Sequence, residues 1–426
     1  MPGDHTSSRW ARLVPVAFIT YSLAYVDRAN YSIGSASGLG NDLGITGSQD
    51  ALLGALFFLG YFLFQIPGAW YAEARSAKKL IFGSLILWGV LASLTGVLTD
   101  ISLLYAVRFL LGVAESVVLP SMLIFLSHWF TKAERSRANA FLILGNPVTV
   151  LWMSIVSGYL VGSFGWRGMF IIEGLPAVAW AFIWWKLVQD RPIEANWLPA
   201  SEREWLEQEL AAEQKALKPV RNYAEAFRTP LVIILSAQYF CWSIGVYGFV
   251  IWLPSILRAG STAGVVEVGW LSAAPYLLAT VLMVVASTVS DRSGLRRAFV
   301  WPFLVIGALA FLGSFLLGTS SFWLSFGLLV VAGGAMYAPY GPFFAWVPET
   351  LPRNVAGGAM ALINSCGALG SFVGSYAVGW MNKATGSPNV SYLMMAGALL
   401  LSGLLTLAVR ESEAGAPGGV ASSAHL

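Results

Sequence analysis

Four ionisable residues interrupt stretches of the sequence that are otherwise apolar and long enough to cross a bilayer. Asp27 and Arg28 lie in the first of these stretches, and Arg108 and Glu115 lie in the fourth. Because a charge at mid-bilayer costs at least ~2.5 kcal/mol, an ionisable residue at that depth is by default a candidate functional residue. A guanidinium offers a planar pair of N–H donors that matches a carboxylate, and a buried carboxyl can take up and release a proton.

Helical geometry separates the two neighbouring charges of the first stretch. At about 100° per residue, Tyr25 and Arg28 share one face of a helix, whereas Asp27 points about 100° away from Arg28. Arg28 can therefore face a central cavity while Asp27 faces a neighbouring helix. Two alternatives give these charges a purely structural role. Arg28 could pair with Asp27 or with a carbonyl group, and Glu115 could pair with Arg108, which lies two helical turns earlier on the same face.

The composition of the whole chain indicates a membrane protein. Its 426 residues are 57% hydrophobic and only 11% charged, whereas a soluble domain carries roughly 25% charged residues. The mean hydropathy is +0.69. This composition excludes a soluble enzyme, a nucleic-acid-binding protein and a disordered scaffold. The two cysteines, Cys241 and Cys366, both lie in apolar stretches, so neither a disulfide framework nor a metal site is predicted.

Twelve apolar runs of spanning length predict an all-α polytopic membrane protein with two groups of six transmembrane helices. The predicted helices cover 12–34, 50–72, 79–98, 101–125, 138–162 and 168–188 in the first group, and 231–257, 267–289, 298–318, 321–346, 355–382 and 390–409 in the second. The chain is therefore divided into an N-terminal half (1–188), a cytoplasmic central loop (189–230) and a C-terminal half (231–426). Within the loop, an amphipathic stretch around Trp205 predicts a helix at the membrane surface.

The basic residues predict the orientation of the chain in the membrane. If the N-terminus is cytoplasmic, twenty of the 25 lysines and arginines lie on the cytoplasmic side, and only Arg167, Arg258 and Lys383 lie on the opposite side. Loops rich in lysine and arginine remain in the cytoplasm during insertion. We therefore expect both termini to be cytoplasmic.

An internal repeat relates the two halves at a constant offset of 218 residues. Glu73 corresponds to Asp291, each in a loop that continues with basic residues, and Asn146 corresponds to Asn364 within predicted helices. Such a repeat indicates two six-helix halves in the same orientation, related by an axis along the membrane normal.

This architecture and its duplicated loop motif resemble the major facilitator superfamily. The loop after predicted helix 8 matches the family pattern of acid, arginine and glycine followed by basic residues, beginning at Asp291 and Arg292. The first copy begins at Glu73 and departs from the pattern, because alanine and serine stand where the family has arginine and glycine. The resemblance implies that Glu73, Asp291 and Arg292 belong to gating loops.

Within this superfamily the sequence is similar to the anion:cation symporters over nearly its whole length. The Asp-Arg-x-Asn signature begins at Asp27, a second signature runs from Arg108 to Glu115, and a Gly-Trp-Arg motif begins at Gly165. Among these proteins the sequence most resembles bacterial hexonate transporters of the galactonate type.

The resemblance also implies a role for each candidate residue. The expected substrate-binding residues are Arg28, Tyr25, Tyr61, Asn146 and Asn364. Asp27 and Glu115 are expected to couple proton movement to transport. A buried asparagine can instead hold helices together, but the repeat puts one amide at a similar depth in each half, which favours the binding interpretation.

We therefore expect a proton-coupled symporter that imports a small organic anion by alternating access, with a six-carbon sugar acid such as galactonate as its substrate. The alternative is an exchanger or facilitator for an aromatic or dicarboxylic acid without net proton coupling. An enzyme is not expected, because the three histidines, His5, His128 and His425, are scattered along the chain. The expected protein is a monomer in the bacterial inner membrane. Its partners are the organic anion, protons and lipid, without a nucleic acid, a metal or an organic cofactor.

Overall fold

The computed structural model describes residues 6–216, 230–317, 321–350 and 356–409. Within those ranges every regular element is a helix, which confirms the all-α fold class. The first half contains α1 (Thr6–Ala36), α2 (Leu39–Asp42), α3 (Gly47–Ala74), α4 (Ala77–Thr95), α5 (Ile101–Ser116), α6 (Val118–Trp129) and α7 (Lys132–Leu187). After α8 (Ala200–Ala216), the second half contains α9 (Pro230–Gly260), α10 (Val265–Ser293), α11 (Trp301–Leu317), α12 (Phe322–Tyr337), α13 (Tyr340–Thr350), α14 (Ala356–Thr385) and α15 (Asn389–Ala408).

The twelve predicted spans are present in the described part of the chain. Ten helical segments there are long and apolar enough to cross a bilayer. One of them, Phe141–Leu187, has 47 residues, which is about twice the length that one crossing needs. Gly165 divides it, because its φ of 70° lies in the left-handed region that favours glycine. The remaining span is α1, a 31-residue helix whose hydropathy is lowered by charged residues such as Asp27 and Arg28.

Two of the spans are interrupted by proline. α5 and α6 meet at Val117, and Pro120 lies in the first turn of α6. In the second half, Pro339 lies between α12 and α13. Proline lacks the backbone N–H and its ring clashes with the preceding turn, so the helical hydrogen bonds are broken at these points.

Close packing of α3 against α5 brings the charged residues of α5 towards the centre of the N-terminal half. A Cβ atom at Gly112 would overlap the carbonyl oxygen of Phe57, so this separation between the two helices requires a glycine. Glu115 lies one helical turn after Gly112 and contacts Arg28 of α1. The short distance between helices therefore assembles the charged cluster described below.

The two halves touch at the end of the bundle opposite to the N-terminus of α1, which we call the distal end. The Arg258 Nη1 donates a hydrogen bond of 2.5 Å to the carbonyl oxygen of Ala36, which joins α9 to α1. The Lys383 Nζ lies 3.8 Å from the Asp50 Oδ2, which joins α14 to α3. At the distal end, α9 and α14 of the second half are therefore joined to α1 and α3 of the first half.

The central segment is docked against the start of α1 through a buried arginine. The Arg9 side chain is fully buried, and its Nε donates to the Glu202 Oε1 of α8 at 2.9 Å. Its Nη2 lies 3.3 Å from the Glu134 Oε1 of α7. On the amphipathic helix α8, Leu206 is buried and Trp205 is exposed. Arg9 therefore fixes α8 to the N-terminal half, in addition to contributing to the basic charge at that end.

Candidate functional site

Arg28 lies inside the N-terminal half between two tyrosine rings. Its side chain is only 6% exposed. The Cζ atom is 4.5 Å from the centroid of the Tyr25 ring and 4.7 Å from the centroid of the Tyr61 ring. Such cation–π contacts hold a guanidinium plane in place. The structure therefore brings together three of the predicted substrate-binding residues. Arg28 and Tyr25 lie one turn apart on α1, and Tyr61 lies on α3.

The buried carboxyl of Glu115 is the ionic partner of Arg28. The Arg28 Nε donates to the Glu115 Oε2 at 3.3 Å, and the Glu115 side chain is fully buried. The other carboxyl oxygen, Oε1, has no hydrogen-bond partner among the described residues. The sequence suggested that Glu115 could pair with Arg108. In the structure, Glu115 pairs with Arg28 instead. A guanidinium has five N–H donors, so this pairing leaves Arg28 further donors for an anion.

Among the described residues, Arg108 contacts a backbone carbonyl oxygen and an aromatic ring and makes no ion pair with a carboxylate. Its Nε donates to the carbonyl oxygen of Leu53 at 3.3 Å, and its Cζ lies 4.5 Å from the centroid of the Tyr31 ring. The Tyr31 hydroxyl in turn donates to the Asp50 Oδ1 at 2.7 Å. This network links α1, α3 and α5, so Arg108 has a structural role in joining these helices.

Asp27 is turned away from the aromatic contacts of Arg28. Its side chain is 2% exposed, and its Oδ1 accepts a hydrogen bond of 3.1 Å from the Asn30 Nδ2. The two proton-coupling candidates, Asp27 of α1 and Glu115 of α5, therefore have different hydrogen-bond partners. The charged neighbours of Asp27 are the cations Arg108 and Arg28 and the acids Glu115 and Glu173.

Glu173 is a further buried carboxyl that is not among the candidate residues selected from the sequence. It lies in the part of α7 that follows Gly165, it is 6% exposed, and its Oε1 accepts a hydrogen bond of 2.7 Å from the Ser157 hydroxyl. Asp27 is its charged neighbour. Glu173 is an acidic residue within the predicted helix 168–188, so the criterion that selected the other four charges also applies to it.

The two repeat-related asparagines lie in α7 and α14 and make no described contact with Arg28. Asn146 of α7 is 4% exposed, and its Oδ1 has no hydrogen-bond partner in the described part of the chain. Asn364 of α14 is partly exposed. The buried amide oxygen of Asn146 can accept a hydrogen bond from a hydroxylated ligand. Their predicted roles in binding stay predictions.

An aromatic residue of the C-terminal half contacts α3 of the N-terminal half. The Tyr247 ring of α9 lies 4.7 Å from the Phe58 ring of α3, measured between centroids, and this contact crosses between the halves. Next to it, Tyr239 stacks on Phe343 at 5.4 Å. Tyr239 has 7% of its surface exposed. At this contact between the halves, the C-terminal half therefore supplies an aromatic ring that carries a hydroxyl group.

The predicted gating loops are described only in part. α10 ends at Ser293 and is followed by Gly294, whose φ of 71° is in the left-handed region, so the glycine of the loop motif is required by the backbone. The Arg292 side chain is exposed. The side chains of Glu73 and Asp291 lie outside the described part of the structure.

Comparisons with known proteins agree with this architecture. The family model for the Major Facilitator Superfamily matches residues 17–375 and 259–424. A protein of Agrobacterium vitis named as a tartrate transporter is 32% identical over 94% of this chain and 90% of its own length. A Bacillus subtilis protein, GudP, named as a galactarate/D-glucarate transporter, is 27% identical over 95% of this chain and 92% of its own length. The inward-open structure of the xylose transporter XylE from E. coli superposes with a TM-score of 0.77 at 15% identity, covering 94% of this chain and 97% of that one. The chain therefore belongs to the major facilitator superfamily and is a membrane transporter, not an enzyme.

Proposed function

We propose that this transporter is a proton-coupled symporter that imports a small organic anion, most simply a hydroxylated acid such as a six-carbon sugar acid. The observation that carries the proposal is the position of Arg28, a buried guanidinium that lies between two tyrosine rings and contacts one carboxyl, Glu115. A fixed guanidinium inside an apolar protein is a strong binding group for a carboxylate.

The same contact supports proton coupling. A substrate carboxylate that binds Arg28 competes with Glu115 for the guanidinium. A carboxylate that loses its cation inside an apolar site is strongly disfavoured, and a proton removes that charge. Anion binding at Arg28 and proton binding at Glu115 therefore favour each other, and this coupling is reciprocal.

The named functions of the relatives support the substrate class. Tartrate, galactarate and D-glucarate, the compounds in two of the relatives' names, are all hydroxylated acids. The hydroxyl groups of such a substrate need neutral hydrogen-bond donors and acceptors. The hydroxyls of Tyr25 and Tyr61 and the amides of Asn146 and Asn364 are groups of that kind. Galactonate belongs to the same chemical class and is our specific candidate.

We propose the same orientation that the basic residues predict, with both termini in the cytoplasm of a bacterial inner membrane. A monomer is sufficient for this mechanism, because the two halves of one chain form both walls of the site. In the transport cycle, the anion and the proton bind while the site is open to the outside. The halves then move relative to each other and release both to the cytoplasm.

Transport by purified protein in proteoliposomes tests the proposal. A panel of galactonate, galactarate, tartrate, benzoate and neutral galactose is offered with and without an inward proton gradient. We expect accumulation of at least one hydroxylated acid, and an acidification of the lumen that depends on that substrate. Uptake of the acid without acidification would identify an exchanger or facilitator, and uptake of galactose alone would contradict the role of Arg28.

A further inference from the structure

A cavity of about 300 Å³, which we call the distal cavity, lies between the two halves at the distal end. Its volume is at the lower end of the range of about 300–1,000 Å³ that small-molecule sites occupy. Polar side chains from both halves line it, namely Ser35 and Asn41 of the first half and Ser255, Arg258 and Lys383 of the second. The distal cavity therefore offers two cations, two hydroxyls and one amide, and no acidic residue of the described part of the chain lines it.

The guanidinium of Arg258 has hydrogen-bond donors that the protein does not use. Its Nη1 donates to the carbonyl oxygen of Ala36 at 2.5 Å. Among the described residues, this is the only hydrogen bond of the side chain, and Arg258 forms no ion pair there. A guanidinium carries five N–H donors in a planar fork that matches a carboxylate. Because the Arg258 side chain is exposed, an anion that arrives from the distal side can reach the remaining donors.

Lys383 is held only loosely by its acidic neighbour, Asp50. The Lys383 side chain is 51% exposed and its Nζ lies 3.8 Å from the Asp50 Oδ2, and an ion pair with an exposed partner at this distance is weak in water. Asp50 has two shorter hydrogen bonds, because its Oδ1 accepts from the Tyr31 hydroxyl at 2.7 Å and its Oδ2 accepts from the Ser35 hydroxyl at 2.9 Å. Lys383 can therefore turn to an external anion while Asp50 keeps these donors.

Two cations in one cavity are unusual for the distal side. The basic residues predict that the distal end is the outer side of the membrane, and loops on that side are poor in lysine and arginine. Of the three basic residues predicted there, Arg167 is bound to its own half, because its Nη1 donates to the carbonyl oxygens of Gly96 and Leu98 at 3.3 and 3.0 Å. The other two line the distal cavity, and a cleft lined by cations raises the local concentration of anions.

We propose that the distal cavity is a second anion-binding site, at which Arg258 and Lys383 bind a carboxylate of a hydroxylated organic acid before the acid reaches Arg28. The serine hydroxyls and the amide that line the cavity bind the hydroxyl groups of the same acid. The identity of this acid as the transported substrate, and the outer position of the cavity, rest on the proposed function.

Occupation of the distal cavity weakens the contacts that join the halves at this end. Arg258 joins α9 to α1 through the carbonyl oxygen of Ala36, and Lys383 joins α14 to α3 through Asp50. A carboxylate that binds both cations competes with both of these partners. A ligand that binds the separated state more tightly shifts the population towards it, so the substrate itself promotes access to Arg28 from the distal side.

Acylation of the Lys383 amine tests the site directly. Arg28→Gln removes the proposed central binding cation, so protection by an anion in this variant reports on the distal cavity. Relative to sulfate at equal ionic strength, we expect galactonate or tartrate to slow the acylation of Lys383 at least about threefold, once the acid is at a few times its dissociation constant. Adding Arg258→Gln should remove most of this protection. Lys186, which is exposed in the last turn of α7, is the internal control, and its acylation rate should not change.

Transport kinetics give a second test that does not depend on whether Arg28→Gln folds. We expect Arg258→Gln and Lys383→Gln to raise the KM of the transported acid several-fold and to make it less sensitive to ionic strength, because capture by exposed cations is screened by salt. Arg258→Lys should restore part of the capture. The matched control is Arg167→Gln, which removes one positive charge from the same side but outside the cavity. A KM and a salt dependence like those of the wild type in both Arg258→Gln and Lys383→Gln would overturn the inference.

Acylation of Lys383 at the same rate in sulfate and in both acids would also overturn the inference, because the cavity would then have no preference for a hydroxylated acid. If the wild type accumulated such an acid in that case, the proposed function would stand. A wild type that transports no organic anion would instead contradict the proposed function, while protection of Lys383 would still establish the distal site.

Discussion

The Nε of Arg28 donates a hydrogen bond of 3.3 Å to the Oε2 of Glu115, and both side chains are buried within the N-terminal half. This contact joins α1 to α5. A substrate carboxylate would therefore compete with the proposed proton-binding carboxyl, Glu115, for the proposed anion-binding cation, Arg28. Whatever binds Arg28 changes the surroundings of Glu115. Coupling between substrate and proton then needs no long-range pathway.

Replacing Arg28 tests its role as the binding cation. We expect Arg28→Gln to weaken anion binding at least about 100-fold, because loss of one charged partner in a buried pair costs roughly 3–5 kcal/mol. Arg28→Lys keeps the charge but loses the planar pair of donors, so a smaller loss is expected. Binding can be measured by the thermal stabilisation that the anion confers. The control is Lys186→Gln at an exposed position, and wild-type affinity in Arg28→Gln would rule out the proposed site.

The variant Glu115→Gln separates anion binding from proton coupling. In the wild type, proton uptake accompanies anion binding, so binding should strengthen as the pH falls, by up to about tenfold per pH unit for one coupled proton. In Glu115→Gln, we expect the contribution of that group to disappear while exchange of labelled for unlabelled anion continues. Affinity measured across a pH series checks this. An unchanged pH slope would assign the coupling to other carboxyls.

Substitution of Tyr61 distinguishes the ring from the hydroxyl. Tyr61→Leu removes a cation–π contact with Arg28, and such a contact contributes about 0.5–2 kcal/mol, so anion affinity should fall by several-fold. Tyr61→Phe keeps the ring and should retain affinity for simple carboxylates, with a larger loss for polyhydroxylated acids if the hydroxyl binds substrate. Dissociation constants for acetate and galactonate provide the comparison. Equal effects of Tyr61→Leu and Tyr61→Phe on acetate would exclude a role for the ring.

Replacing Arg9 tests the docking of the central segment. Arg9→Ala leaves the buried carboxyl of Glu202 without its guanidinium partner, and breaking a buried ion pair in this way costs about 3–5 kcal/mol. We expect a lower unfolding temperature in detergent and faster proteolysis within α8. Arg203→Ala is the control, because among the described residues Arg203 makes an exposed hydrogen bond of 3.4 Å to the carbonyl oxygen of Ile193. Equal stability of the two variants would show that α8 is not held by Arg9.

Much of the fold was predictable from the sequence because it depends on local properties. The number of spans follows from the lengths of apolar runs, and the structure confirms twelve. The different directions of Asp27 and Arg28 follow from helical geometry alone, and the structure places Arg28 between Tyr25 and Tyr61 while Asp27 bonds to Asn30.

Tertiary structure decided which charges meet. Arg108 lies seven residues before Glu115 on the same helix, yet Glu115 pairs with Arg28, because Gly112 lets α3 and α5 pack closely and the rotation of each helix selects the partner. Arg9 looked like one of many orientation charges and is instead buried against Glu202. Glu173 accepts a hydrogen bond from Ser157, which lies on the other side of Gly165 in α7. A sequence determines what lies along one helix, whereas contacts between helices depend on how side-chain shapes pack, which no local pattern records.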